Sequence, residues 1–257
     1  MARFVARQGP GNGRPEERDW AGRVTTVPIL RIGIQTVCLR QPLRQALGTA
    51  SRLGADRVAI VTRPELTQTG LRQFRKLLAD LNLGVSAVTF MTRRGYDVLD
   101  DLDRRVAATQ TAMKFAHELG ADLVINRIGH GPADESDPRY VRLVEVLTNL
   151  GAYGHRIGTR LAAETGTGSG ADLARLLAAL PDQSLAVDLH PAGLSHHGHD
   201  PMEAVEALGP HIVHVHACDA VRDLARGQAV DVELGRGSAD MPALLGRLEE
   251  FNHRGRV

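Results

Sequence analysis

The chain has 257 residues, 43% of them hydrophobic and 24% charged, with a formal net charge of +1. That is room for one α/β barrel with the make-up of an ordinary water-soluble protein, and so small a charge supplies no basic face for nucleic acid. No apolar run approaches the ~18 residues that a membrane helix requires, so the expected partners include neither nucleic acid nor membrane. Cys38 and Cys218 have neither metal spacing nor a disulfide framework, which points to a reducing cytoplasm.

Residues 1–28 hold Gly, Pro, Arg and Glu but no apolar segment of a signal peptide, and Glu16, Glu17 and Asp19 speak against a transit peptide. They read as a disordered tail before a domain over 29–257. The run LRIGIQTV at 30–37 opens the order as a strand. A helix over 42–53 follows, with Pro in its first turn and Gly54 as its stop. RVAIV at 57–61 is the second strand, and 68–81 a helix with Leu71, Phe74, Leu78 and Leu81 on one face. GVSAVTF at 84–90 is the third strand. Its helix starts near Asp100, with Asp100–Arg104 and Asp101–Arg105 as i,i+4 pairs on a solvated face.

An internal echo marks the fourth unit: LGADRVAI at 53–60 returns as LGADLVIN at 119–126, an offset of 66 residues. Two strand–loop–helix units of about 33 residues each produce such an offset. The same grammar gives a helix over 138–157, strand 159–164, helix 170–180, strand 184–188, a short helix 201–208, strand 211–217 and a last helix 241–251. Seven apolar strands alternating with helices imply a parallel sheet covered on both faces. No glycine-rich phosphate loop follows the first strand, which disfavours a dinucleotide-binding sheet. The expected fold is therefore a (β/α)8 TIM barrel, although Val257 arrives where the eighth strand should begin. Imperfect closure, a second copy covering the gap as a homo-oligomer, or truncation of a longer protein would each deal with the open edges. Truncation is the expectation.

The candidate chemistry sits at strand ends. DLVIN stops on Asn126, RLAAE on Glu164 and LAVD on Asp188, while HIVHVHACD at 211–219 alternates histidines with apolar residues. Strands five, six and seven, as barrel neighbours, bring Glu164, Asp188 and His216 to one rim. Two carboxylates and an imidazole suit Mn²⁺, Mg²⁺, Co²⁺ or Zn²⁺. His214, one layer deeper on the same face, reads as a satisfied core histidine. SHHGHD at 195–200 matches no zinc pattern. GRG at 235–237 reads equally well as a turn or as a contact to phosphate. Arg93 and Arg94 stand after strand three, close enough to the rim to hold a sugar phosphate.

The stretches RLAAETG, SLAVDLHP, HVHACD and LGRGSADMPALLGRLEE, with LGADLVIN and TQTGLRQFRKLL, resemble the xylose-isomerase-like barrel superfamily of sugar phosphate isomerases and epimerases over residues 30–257. The resemblance implies one divalent ion held by Glu164, Asp188 and His216, with a fourth ligand on strand eight that has no counterpart here. It implies a sugar or sugar phosphate substrate and proton transfer beside a metal-bound carbonyl, with Glu164 as one member of the acid–base pair. Without the fourth ligand, weak metal binding and little turnover are expected. His190, Arg222, Asn126 and Asp219 are the implied substrate contacts. Two alternatives stand beside this reading: an AP-endonuclease-like metal phosphodiesterase, and a non-catalytic sugar-binding descendant of the fold.

Overall fold

The computed structural model describes residues 32–62, 70–223, 228–253 and 257, together with the backbone of 16–18 and 24–26. The apolar runs form seven strands: β1 (Gly33–Gln35), β2 (Arg57–Val61), β3 (Gly84–Thr89), β4 (Leu123–Asn126), β5 (Arg160–Glu164), β6 (Ala186–Leu189) and β7 (Ile212–Val215). They lie in one sheet in chain order, and each neighbouring pair is parallel. An order with no reversal winds in one direction, as a barrel does, and lacks the switch point of a doubly wound sheet.

Among the described residues eight α-helices accompany the strands: α1 (Leu43–Arg52), α2 (Leu71–Asp80), α3 (Leu102–Glu118), α4 (Pro138–Ile157), α5 (Gly170–Ala178), α6 (Pro191–His196), α7 (Pro201–Leu208) and α8 (Met241–Glu250). Their starts are chemically marked. The Asp137 carboxylate accepts from Arg139 N ahead of Pro138, Ser169 Oγ accepts from Asp172 N, and Asp200 accepts from Met202 N and Glu203 N. Each supplies an acceptor for backbone N–H groups that the helix cannot bond itself.

Alternation along the strands sorts the core into two layers. Val58, Ile60, Val124, Leu161, Val187 and Leu189 face the helices, where they meet Leu47, Phe74, Met113, Leu143 and Leu147. Ala59, Ala87, Leu123, Ile125, Ala162 and Ala186 make a separate inner cluster, joined by Val213. Four alanines among these leave the interior narrow, as a closely curled sheet requires. Beyond α8 the chain returns to the first strand: Gly33 N donates to the Val257 carbonyl at 2.8 Å. His253 Nδ1 bonds the Ile212 carbonyl at 2.9 Å. These contacts occupy the lower end of the gap between β7 and β1. The architecture is a (β/α)8 barrel with seven of its strands in the sheet.

Some expectations shift. The first strand stops at Gln35 and gives way to a 3₁₀ turn over Thr36–Leu39, where Thr36 Oγ1 donates to the Ala59 carbonyl. The i,i+4 pairs drawn for α3 are replaced: Arg105 donates to the carbonyls of Val98 and Asp100, and the Asp100 carboxylate takes Arg94 instead. Short α6 and an antiparallel ribbon of β8 (Asp219–Asp223) and β9 (Gln228–Val232) were not expected from periodicity. Backbone pairing of Glu16–Arg18 with Val24–Thr26 falls within the expected tail; the rest of 1–28, and residues 68–69 of the second expected helix, lie outside the described residues. No described helix is long and apolar enough to cross a membrane.

Candidate metal centre and substrate cavity

The ends of β6 and β7 build the centre, with the end of β5 beside them. Glu164 and Asp188 are register partners across β5 and β6, so parallel pairing alone puts both carboxylates on one rim. Between β6 and β7 the register slips: Val187 pairs with Ile212, yet Asp188 pairs with His214. One extra residue, Val213, is thus accommodated as a bulge, which reverses the in–out phase of the residues after it. Val213 packs into the inner cluster, and His214 and His216 then both turn to Asp188.

The Asp188 carboxylate is completely buried between those imidazoles. His214 Nδ1 is bonded to Oδ1 at 2.6 Å. His216 Nε2 stands 3.0 Å from Oδ2, but the two atoms are misaligned and neither has a properly directed hydrogen bond. Among the described residues, Asp188, His214 and His216 are the group whose ligand atoms gather within 4.8 Å. A pair of buried ligand atoms 3.0 Å apart matches neighbouring donors about a cation at metal–ligand distances near ~2.1 Å. The residues therefore fit a divalent ion, and carboxylate with imidazole suits a hard-to-borderline one.

Electrostatics favour the ligand form of the carboxylate. Burial works to raise the pKa of Asp188, but the pull of His216 and then His214 prevails and holds it at about 2. His216 is moved the other way: burial opposes its charge, yet Asp188 and then Glu164 raise it above the ordinary histidine value. A cation in this cluster would displace that proton, making metal uptake pH-dependent. His190 is lowered, first by burial and then by the neighbouring His216, whose ring centroid lies 4.9 Å away.

The other expected residues divide between the cavity and the scaffold. His190, whose ring lies against that of His216, lines a cavity of about 570 Å³, and its Nδ1 accepts from Gly193 N to start α6. Asn126 is fully buried, with Oδ1 accepting from Thr92 N, Thr92 Oγ1 and Arg127 N while Nδ2 donates to the Tyr96 hydroxyl. It ties the loop after β3 to the loop after β4. Asp219, 2% exposed, spends both oxygens on backbone: Oδ1 accepts from Ala220 N and Ala239 N, and Oδ2 from Gly235 N and Gly237 N. A Cβ on Gly237 would come within 2.0 Å of that carboxylate, so the second glycine of GRG is needed for the close approach. Arg222 is exposed and reaches over Gly198, outside the cavity wall.

Several other features find structural employment. His196 Nε2 pairs with Asp231 Oδ1 at 2.8 Å, His197 Nδ1 donates to the Gly193 carbonyl, and Asp200 caps α7, which uses up most of SHHGHD. Arg94 is paired with Asp100. His214 is buried and satisfied as expected, but its partner is the central carboxylate, which makes it part of the centre. Arg127 was missed. Its Nε donates to Glu164 Oε1 at 2.9 Å, and it lines the same cavity; its place one residue past the β4 strand end was the available signal. The ends of β2 and β3 offer no metal ligand among the described residues, running out at Val61 and Thr89.

Comparisons with known proteins agree with this architecture. A family model described as xylose isomerase-like TIM barrel matches residues 47–257. A xylose isomerase domain protein from Planctomyces limnophilus superposes with a TM-score of 0.75 at 23% identity, covering 82% of each chain. A xylose isomerase-like TIM barrel protein from Mycobacterium smegmatis, solved in complex with magnesium, gives 0.68 at 17% identity over 83% of this chain and 79% of its own. An L-ribulose 3-epimerase gives 0.71 at 18% identity over 89% of this chain and 80% of its own. No curated protein matches the sequence. With seven parallel strands in barrel order and a family match over most of its length, the chain belongs to the xylose isomerase-like TIM barrel family.

Proposed function

We propose that the protein is a divalent-metal-dependent sugar isomerase or epimerase. The observation that carries this is the buried Asp188 carboxylate set between His214 and His216, with Asp188 Oδ2 and His216 Nε2 3.0 Å apart and no directed hydrogen bond between them. Sugar epimerases among its structural neighbours support the substrate class.

In this reading Asp188, His216 and Glu164 hold the cation. When bound, the ion supplies Lewis acidity that makes a C–H next to a coordinated carbonyl easier to deprotonate. His214 fixes Oδ1 and so aims Oδ2, in the manner of outer partners that orient ligands. Glu164 is the proton acceptor: its carboxylate lies at the rim, 9% exposed, with Oε1 held by Arg127. His190, its ring kept from protonation by burial, faces the cavity as a hydrogen-bonding partner for sugar hydroxyls. The ring atoms of His190 and His216 are close enough that both cannot readily carry charge.

Calorimetric titration of the protein with Mn²⁺ tests the reading. One equivalent is expected to bind to the wild type and at least ten-fold more weakly to Asp188→Asn, with thermal melting of the variant recorded to check the fold. The loaded protein is then incubated with unlabelled ketoses in D₂O, where proton NMR should show deuterium entering next to the carbonyl. Equal Mn²⁺ affinity in wild type and variant would remove the basis for the assignment.

A further inference from the structure

The cavity lined by His190 holds, among the described residues, one permanent cation. Arg127 projects into that wall with a side chain 63% exposed. Its Nε is committed to Glu164, while the outer edge of the guanidinium, Nη1 and Nη2, has no partner among the described residues. That edge is the fork with which arginine grips a carboxylate or phosphate through two parallel N–H···O bonds. Arg94 is bonded to Asp100 and Arg222 lies over Gly198, and exposed Arg93 does not line the cavity. The cavity's acidic group, Asp231, already bonds the His196 ring.

We infer that the substrate is an anionic sugar, bearing a carboxylate or a phosphate at the end remote from the reacting carbons, and that Arg127 binds that group. This rests on the metal-dependent reading given above. The Arg127–Glu164 contact adds a consequence. A guanidinium bonded to both Glu164 and the substrate's anion ties the proton acceptor to the ligand through one rigid plane. The anion end then sets where the sugar chain lies relative to Glu164.

The test is a set of calorimetric titrations on the full chain, with and without Mn²⁺, using D-fructose, D-fructose 6-phosphate, D-glucuronate and inorganic phosphate. In the wild type at least one anionic sugar should bind ten-fold or more tightly than fructose; the phosphate and carboxylate arms show which group is preferred. In Arg127→Gln that ratio should fall to near one, and Arg127→Lys, which keeps the charge without the fork, should lie between. Melting curves of both variants verify folding. Equal binding of neutral and anionic sugars by the wild type overturns the inference, and so does a preference that survives in Arg127→Gln. Absence of Mn²⁺ binding in the same experiment counts against the metal-dependent reading alone, because the anion ratio is still read on the metal-free protein.

Discussion

Replacing Asp219 by Asn isolates the part of the fold that holds the loop after β9 in place. Each carboxylate oxygen accepts two backbone N–H groups, at 2.9 and 2.9 Å on Oδ1 and at 3.1 and 2.7 Å on Oδ2. An amide offers one acceptor oxygen, so its NH₂ must face two N–H donors whichever way it turns. Two hydrogen bonds to a charged acceptor disappear, each worth ~1.5–3 kcal/mol, and two buried donors are left unpaired. The net cost is about 3–5 kcal/mol, which at ~2–4 °C per kcal/mol for a domain of this size lowers Tm by about 10 °C. The pH dependence rests on the same contacts. Burial acts to raise the pKa of Asp219, but the backbone donors of Ala239, Gly237, Ala220 and Gly235 outweigh it and hold it below the usual carboxylate range. A depressed folded-state value stabilises the protein above the unfolded value near ~3.9, and the contribution fades as pH falls through the folded value. Thermal melting followed by circular dichroism at pH 7, 5 and 3.5 should therefore show a gap between wild type and Asp219→Asn that is full at pH 7 and 5 and narrower at 3.5. A gap below 2 °C at neutral pH, or one unchanged across the series, would refute the reasoning.

Two further outcomes are expected. His214→Gln removes the bond that aims Asp188, and Mn²⁺ affinity measured by calorimetry should fall ~10–100-fold while the melting profile stays cooperative; undiminished affinity would make His214 a bystander. The two cysteines should react very differently with a thiol reagent at pH 8. Cys38 is exposed, whereas burial is the largest influence raising the Cys218 thiol, to about 12. One thiol per chain should therefore be modified quickly in the native state and both after unfolding; two fast thiols in the native protein would contradict the buried placement.

The barrel was legible because a parallel sheet covered on both faces writes its strands as apolar runs, and RVAIV appears as β2 with the expected bounds. Helices with strong starts were equally readable: Asp137–Pro138 and Asp200–Pro201 mark α4 and α7 at the expected residues. What escaped were elements too short for periodicity to register, such as α6, started by a histidine ring, and the ribbon of β8 and β9. At the rim, the strand-end pattern picked out Glu164, Asp188 and His216, but it could not separate a polar side chain facing a ligand from one consumed by backbone. Asp219 bonds four backbone N–H groups and Asn126 two N–H groups and two hydroxyls, and nothing in their neighbours' identities announces four partners each. Arg127 was hidden for another reason: its role comes from the reach of a long side chain across to β5.

The extra residue on β7 has a bearing on how this centre tolerates change. In an evenly alternating strand that kept Val213 toward the inside, the next inward places would fall on Val215 and Ala217, and the two imidazoles would be pressed into the layer beneath the helices. Deleting Val213 would leave Ile212 and His214 as successive residues opposite Val187 and Asp188, an even strand that keeps both histidines inward and costs only the inner-layer valine. A residue inserted between His214 and His216 would be far more harmful, because it would turn the two imidazoles to opposite faces of the sheet.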